Sequence, residues 1–144
     1  MSDFRPLSAH FSVAPQLGIE DVAEAKAQGF AMVINNRPDG EEPAAPQGEH
    51  ISTACAAEGL AYAAIPIGHS GFSHAQIDAL DKLLASATGP ILAYCRSGTR
   101  STHLWALTRA RGGDNVDGIV EAARQAGYDL SGLRPMLDAL AGEK

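Results

Sequence analysis

Cysteine is scarce. Two thiols in 144 residues cannot build a disulfide framework, which points to a reducing, cytoplasmic compartment. Positive charge is short as well. Eleven Lys and Arg face seventeen Asp and Glu, a formal net charge of −6, which argues against nucleic acid or an anionic membrane as the main partner. No stretch approaches the roughly 18 unbroken apolar residues of a membrane span. Met1 to Pro6 lacks a basic cap followed by an apolar run, so no secretory signal is visible there. Internal repeats and low-complexity tracts are missing too. What is present is globular composition, 45% hydrophobic and 19% charged, at a length that suits a single domain, 1–144.

Two periodicities alternate along the chain. Phe11 to Ala14 predicts a short strand ended by Pro15. Residues 18–28 keep a helical apolar spacing through Ile19, Val22, Ala23 and Ala25, and Gly29 supplies the stop. Phe30 to Asn35 is a continuous apolar run, as in a strand buried on both faces. Arg37 to Pro46 reads as a surface loop. Residues 47–58 predict a helix with Ile51, Ala54 and Cys55 at helical steps, and Leu60 to Ile67 predicts a second apolar strand. Ser73 and Gln76 fit a capping box that opens a helix carrying Ile77, Leu80, Leu83 and Leu84 on one face. Ile91 to Tyr94 is the third buried strand. A helix follows from Ser101, and two short helices near 114–126 and 131–141 close the chain. This alternation implies an α/β fold, a central mainly parallel sheet with helices on both faces. Ligands of such sheets bind beyond the carboxyl ends of the strands, which directs attention to the loop after the third strand.

That loop, Cys95-Arg96-Ser97-Gly98-Thr99-Arg100-Ser101, follows an apolar strand and opens a helix. The first amides of a helix lack internal acceptors, and with the helix dipole they favour an anion. Gly98 permits a turn that a side chain would obstruct. Arg100 offers a planar fork to an oxyanion, and Arg96 adds a second positive charge. Cysteines placed beside cations at helix N-termini ionise at roughly 3.5–7.5 instead of about 8.5. Cys95 is therefore expected to act as a thiolate aimed at a bound anion. The plainer alternative is a buried structural cysteine beside two surface arginines.

Cys-x-x-Gly-x-Arg-Ser resembles the active loops of two groups of cysteine enzymes. Protein tyrosine and dual-specificity phosphatases carry Cys, two residues, Gly, two residues, Arg, then Ser or Thr; rhodanese sulfurtransferases often carry Cys-Arg-x-Gly-x-Arg. Cys95 to Arg100 fits the rhodanese loop without a gap and is one residue short of the phosphatase loop. The order of Gly29 to Asn35, Gly59 to Ile67 and Pro90 to Cys95 is similar to that of dual-specificity phosphatases. The Gly-His-Ile-Pro-Gly-Ala and Gly-Gly-Trp segments usual in rhodaneses are missing. Over nearly its whole length the chain resembles the phosphatase-like domain of beta-lactamase-hydrolase-like proteins, DUF442, with Asn35 to Glu41 and Tyr94 to Ser101 as the recognisable marks. The resemblance implies a tyrosine/dual-specificity phosphatase-like fold. It also implies an association with sulfide metabolism, because some members are fused to a persulfide dioxygenase-like domain.

Two chemistries fit one loop. In the first, a hydrolase, Cys95 attacks a phosphoryl or similar anionic substrate. The loop residues Arg96, Ser97, Gly98 and Thr99 cradle the anion, Arg100 clamps the equatorial oxygens, and Ser101 helps the sulfur leave. The departing alkoxide needs an acid. The phosphatases place an Asp after the Ile-Pro strand, where this chain has Gly68 to Ser73 without a carboxylate, so His69 and Asp39 are the candidates. In the second chemistry, a rhodanese-like sulfurtransferase, Cys95 carries sulfane sulfur as a persulfide taken from thiosulfate or glutathione persulfide and needs no acid. A third reading is a non-enzymatic anion or redox sensor. The hydrolase assignment is placed first. Arg37 and Phe72 are candidate pocket residues. Cys55, Leu104 and Trp105 read as core. The histidines show no metal-ligand spacing, so neither a metal nor an organic cofactor is expected.

Overall fold

Short apolar runs flanked by turn residues become four-residue strands. The computed structural model describes residues 3–68 and 70–142. In chain order the strands are β1 (Arg5–Ser8), β2 (Phe11–Ala14), β3 (Met32–Asn35), β4 (Ala61–Ala64) and β5 (Ile91–Tyr94). The helices are α1 (Ile19–Ala27), α2 (Gly48–Glu58), α3 (His74–Ser86), α4 (Thr99–Arg111), α5 (Val116–Gln125) and α6 (Arg134–Ala141), with a 3-10 turn at Ser131–Leu133. The sheet order is β1-β2-β5-β3-β4. β5 runs parallel to both β2 and β3, and β3 runs parallel to β4; β1 is antiparallel to β2.

The expected mainly parallel sheet with helices on both faces is present. Strand side chains alternate between two apolar clusters. Phe11, Val13, Ile34, Ile91 and Ala93 pack with α3, α4, α5 and α6. Ala14, Val33, Leu92 and Tyr94 pack with Val22 and Ala25 of α1 and with Ile51 and Cys55 of α2. Each fully buried Leu, Ile or Val contributes about 1.5–3 kcal/mol, so the two faces anchor the sheet from both sides.

Three details depart from the sequence reading. Arg5–Ser8 forms a strand that no apolar run announces; Leu7 is its one buried residue, as suits an edge. The strand expected over Leu60 to Ile67 pairs only from Ala61 to Ala64, and it is a partly exposed edge. Pro66 has no N–H to continue a ladder, yet the flanking amides of Ile65 and Ile67 still bond the carbonyls of Asn35 and Asn36. The helix after the loop starts at Thr99, two residues before Ser101, because Gly98 takes φ +90 as its N-cap and turns the chain at once. The capping box of α3 is as read: the Gln76 amide donates to Ser73 Oγ at 3.3 Å and the Ser73 amide to Gln76 Oε1 at 2.9 Å. No helix among the described residues is long and apolar enough to cross a membrane.

Candidate active site

Register puts Ala14, Tyr94 and Asn35 in one row at the carboxyl edge of the three central strands. The next residues, Cys95 and Asn36, therefore emerge side by side. The Cys95 amide donates to Ala14 O at 3.4 Å, and the Asn36 amide donates to Tyr94 O at 2.8 Å. From Cys95 the chain makes a tight loop into α4. The Gly98 amide turns back and donates to Cys95 Sγ at 3.1 Å. The Gly98 carbonyl accepts from the Thr102 amide at 2.9 Å and from Thr102 Oγ1 at 2.8 Å, which joins loop and helix. Arg96 and Ser97 are exposed; the Arg96 carbonyl accepts from the Gln16 amide, and Ser97 Oγ donates to Thr99 Oγ1 at 2.9 Å. Cys95 is fully buried in this arrangement.

Arg100 stands in the first turn of α4. Its Nη1 donates to the Ile67 carbonyl at 2.7 Å and to Glu41 Oε2 at 2.9 Å, and its Nη2 donates to Glu41 Oε1 at 2.7 Å. Glu41 also accepts from Arg37 Nε at 2.8 Å, while Arg37 Nη1 donates to Gln16 Oε1 at 2.9 Å. A forked carboxylate–guanidinium pair is among the stronger charge-assisted contacts. It holds the Glu41 carboxyl at about 2, with the Arg100 hydrogen bond the largest cause; burial pushes the other way, and Arg37 adds to the lowering. Arg100 is raised in turn, first by Glu41 and then by the neighbouring Cys95 sulfur against the cost of burial. The structure thus gathers Cys95, Arg100 and Arg37 at one edge. It adds Glu41, whose role is not readable in the sequence, because Asp39, Glu41 and Glu42 lie in a loop without period.

The other residues singled out from the sequence are distributed through the fold. The buried Ser101 hydroxyl donates to Asn36 Oδ1 at 2.7 Å, and Asn36 Nδ2 donates to the Ile65 carbonyl at 2.9 Å. The Asp39 carboxylate accepts from the Gly48 amide at 2.8 Å and so serves the first turn of α2, where a negative charge is favoured. His69 lies outside the described residues. Phe72 is half-buried against the larger cluster, its ring 5.9 Å from that of His103. Burial lowers His103, which favours its neutral form. Cys55 is fully buried in the α1/α2 cluster, and burial pushes its thiol up to about 11, as expected of an inert core cysteine. Trp105 stacks on Phe11, 6.4 Å between ring centroids, at the end of the sheet away from the loop. Among the described residues no group of three or more His, Cys, Asp or Glu is arranged to hold a metal.

A family model described as "Beta-lactamase hydrolase-like protein, phosphatase-like domain" matches residues 3–112. A beta-lactamase hydrolase-like protein of Agrobacterium fabrum is 35% identical over 130 residues, covering 86% of this chain and 29% of the relative. The chain thus spans about 29% of the length of the curated relatives it matches. A Neisseria meningitidis crystal structure, named as that of a phosphatase candidate, superposes with a TM-score of 0.86 at 31% identity over 97% of this chain and 99% of that one. The core catalytic domain of the PP-IP phosphatase SIW14 from S. cerevisiae shares the fold, with a TM-score of 0.69 at 17% identity over 94% of this chain and 83% of that one.

Proposed function

This chain belongs to the family of phosphatase-like domains of beta-lactamase hydrolase-like proteins, and from that premise we propose that it is a cysteine-dependent phosphatase acting on small anionic phosphoryl substrates. One observation carries the reading: the Gly98 amide donates to Cys95 Sγ at 3.1 Å while Arg100 stands in the first turn of the helix that Gly98 opens. The Cys95 thiolate attacks phosphorus, the bond to the leaving oxygen breaks with its electron pair, and a cysteinyl phosphate forms. Water then attacks that phosphorus, releasing inorganic phosphate and returning the sulfur. Arg100 forks onto the equatorial oxygens once it releases Glu41, and the amides that open α4 stabilise the spreading charge. Arg96, Ser97 and Thr99 border the anion on the exposed side. Arg37 supports the cradle through Glu41 and Gln16. Ser101 has one proton to donate and gives it to the sulfur only by leaving Asn36; while bonded to Asn36, it ties α4 to the end of β3.

The acid narrows the substrate class. Glu41 is held at about 2 while Arg100 grips it and has an ordinary value of 4.5 once released, so in neither state does it carry a proton to give near neutral pH. Asp39 is engaged with the start of α2. Among the described candidates this leaves no acid, which supports substrates whose leaving groups depart unprotonated, such as aryl esters or phosphoanhydrides. The short step from Cys95 to Arg100 favours a second reading, transfer of sulfane sulfur. There the Cys95 thiolate takes the outer sulfur of thiosulfate, sulfite departs with the bonding pair, and a persulfide remains.

Mass spectrometry of the quenched protein decides. Incubation with an aryl phosphate should leave a phosphoryl group on Cys95, and Cys95→Ser should abolish both label and turnover. A single sulfur atom gained from thiosulfate, with no phosphoryl adduct, replaces the first reading by the second. Phosphate binding without either adduct makes the domain a sensor.

A further inference from the structure

The peptide joining Ser97 to Gly98 is held at both ends. Its N–H donates to Cys95 Sγ at 3.1 Å, and its carbonyl accepts from the Tyr128 hydroxyl at 2.9 Å. A peptide is a rigid plane whose C=O and N–H point in opposite directions. Fixing the carbonyl toward Tyr128 therefore fixes the N–H toward the sulfur. A flipped plane would instead turn an oxygen lone pair toward Cys95 and toward any anion it receives. We infer that Tyr128 is a positioning residue for the Cys95 site, acting through the Ser97–Gly98 peptide. This rests on the reading of Cys95 as the reacting group and adds a residue to it.

Tyr128 lies beyond the residues 3–112 that the family model matches, between α5 and the 3-10 turn. One further contact holds its ring and another its backbone. The Arg5 guanidinium lies over the ring, 5.3 Å from the centroid, and Arg5 Nη1 donates to the Ala126 carbonyl at 3.3 Å. The Tyr128 amide donates to Ala123 O at 2.9 Å, which binds it to the last turn of α5. The fit against the loop is close: a Cβ on Gly98 would overlap the Tyr128 hydroxyl, so glycine is required there by contact as well as by φ +90. Burial raises the Tyr128 phenol, and the nearby Cys95 acts in the same direction against Arg5, so the hydroxyl remains a donor at neutral pH.

Tyr128→Phe removes the hydroxyl and keeps the ring. The Gly98 amide proton, followed by NMR in the full chain, reports the peptide directly. In the variant its hydrogen exchange should be about five- to tenfold faster than in the wild type, the factor expected for one lost hydrogen bond. Inorganic phosphate titrated against the same signal should bind more weakly by a similar factor, and kcat/KM on an aryl phosphate should fall with it. A merely structural role would lower the melting temperature and change the exchange of all α4 amides together, leaving Gly98 undistinguished. That result, or unchanged Gly98 exchange and phosphate affinity, overturns the inference. If Tyr128→Phe does not fold, Arg5→Gln loosens the ring and leaves the hydroxyl; a smaller change of the same sign at Gly98 supports the inference, and no change overturns it. Should the wild type turn over no phosphate ester, the proposed function fails, while Gly98 exchange still decides the role of Tyr128.

Discussion

Glu41 holds two arginines with one carboxylate, and its titration has a consequence for stability. Its carboxyl stands at about 2 against an ordinary 4.5. An acid whose folded pKa is depressed contributes stability above its unfolded pKa and loses that contribution as pH falls toward the folded one. The window here runs from about pH 4.5 down to about pH 2. Glu41→Gln should therefore cost on the order of 1–2 kcal/mol at pH 7, and the difference from wild type should shrink toward pH 2. Urea unfolding of both proteins at pH 7 and pH 2.5 checks this; a gap of the same size at both values means the charge of Glu41 is not what matters. The spacing of Cys95, Gly98 and Arg100 is legible in the sequence because three residue types must coincide at one strand-to-helix junction. Glu41 is not, because three acids share its loop and only the folded backbone sorts them. Asp39 goes to Gly48, Glu41 to the arginines and Glu42 Oε1 to the Ala44 amide at 3.1 Å.

Among the elements, α4 carries the loop and much of the core. Leu104, Trp105, Ala106, Leu107 and Ala110 are all buried along it. Leu107 is fully buried, so Leu107→Ala should cost about 2–5 kcal/mol through lost transfer energy and the cavity left behind. The exposed Arg109, paired with Asp114, should cost well under 1 kcal/mol when changed to Ala. Denaturant midpoints measure both; a Leu107→Ala cost no larger than that of Arg109→Ala would remove α4 from the load of the fold. The apolar periodicity locates this helix and its neighbours, and the Ser73–Gln76 box marks a helix start with its own hydrogen bonds. β1 escapes such a reading. Arg5, Pro6 and Ser8 surround one buried leucine, and the strand exists because β2 offers an edge to pair with.

On the scale of the whole molecule, the two apolar clusters share the same strands. Ile34 and Ala93 face one side of the sheet, while Val33 and Leu92 face the other. Neither side can lose its packing without releasing the strands that support the other. Trp105 fluorescence, which reports the larger cluster, and far-UV circular dichroism should then give coincident urea transitions. Separate midpoints would show that the faces melt independently. The alternation of strands and helices discloses the layers and the edge where the site forms, but not the order β1-β2-β5-β3-β4, which depends on long-range pairing. The contact between Arg5 and Tyr128 is another such pairing, since it joins β1 to the segment after α5 beside Ser97. A growing polypeptide leaving the ribosome can lay down all five strands and α4 while Tyr128 is still unmade. The carbonyl of Ser97 gains its partner only after α5 has been made, so the anion loop is not set until the segment behind α5 packs against it.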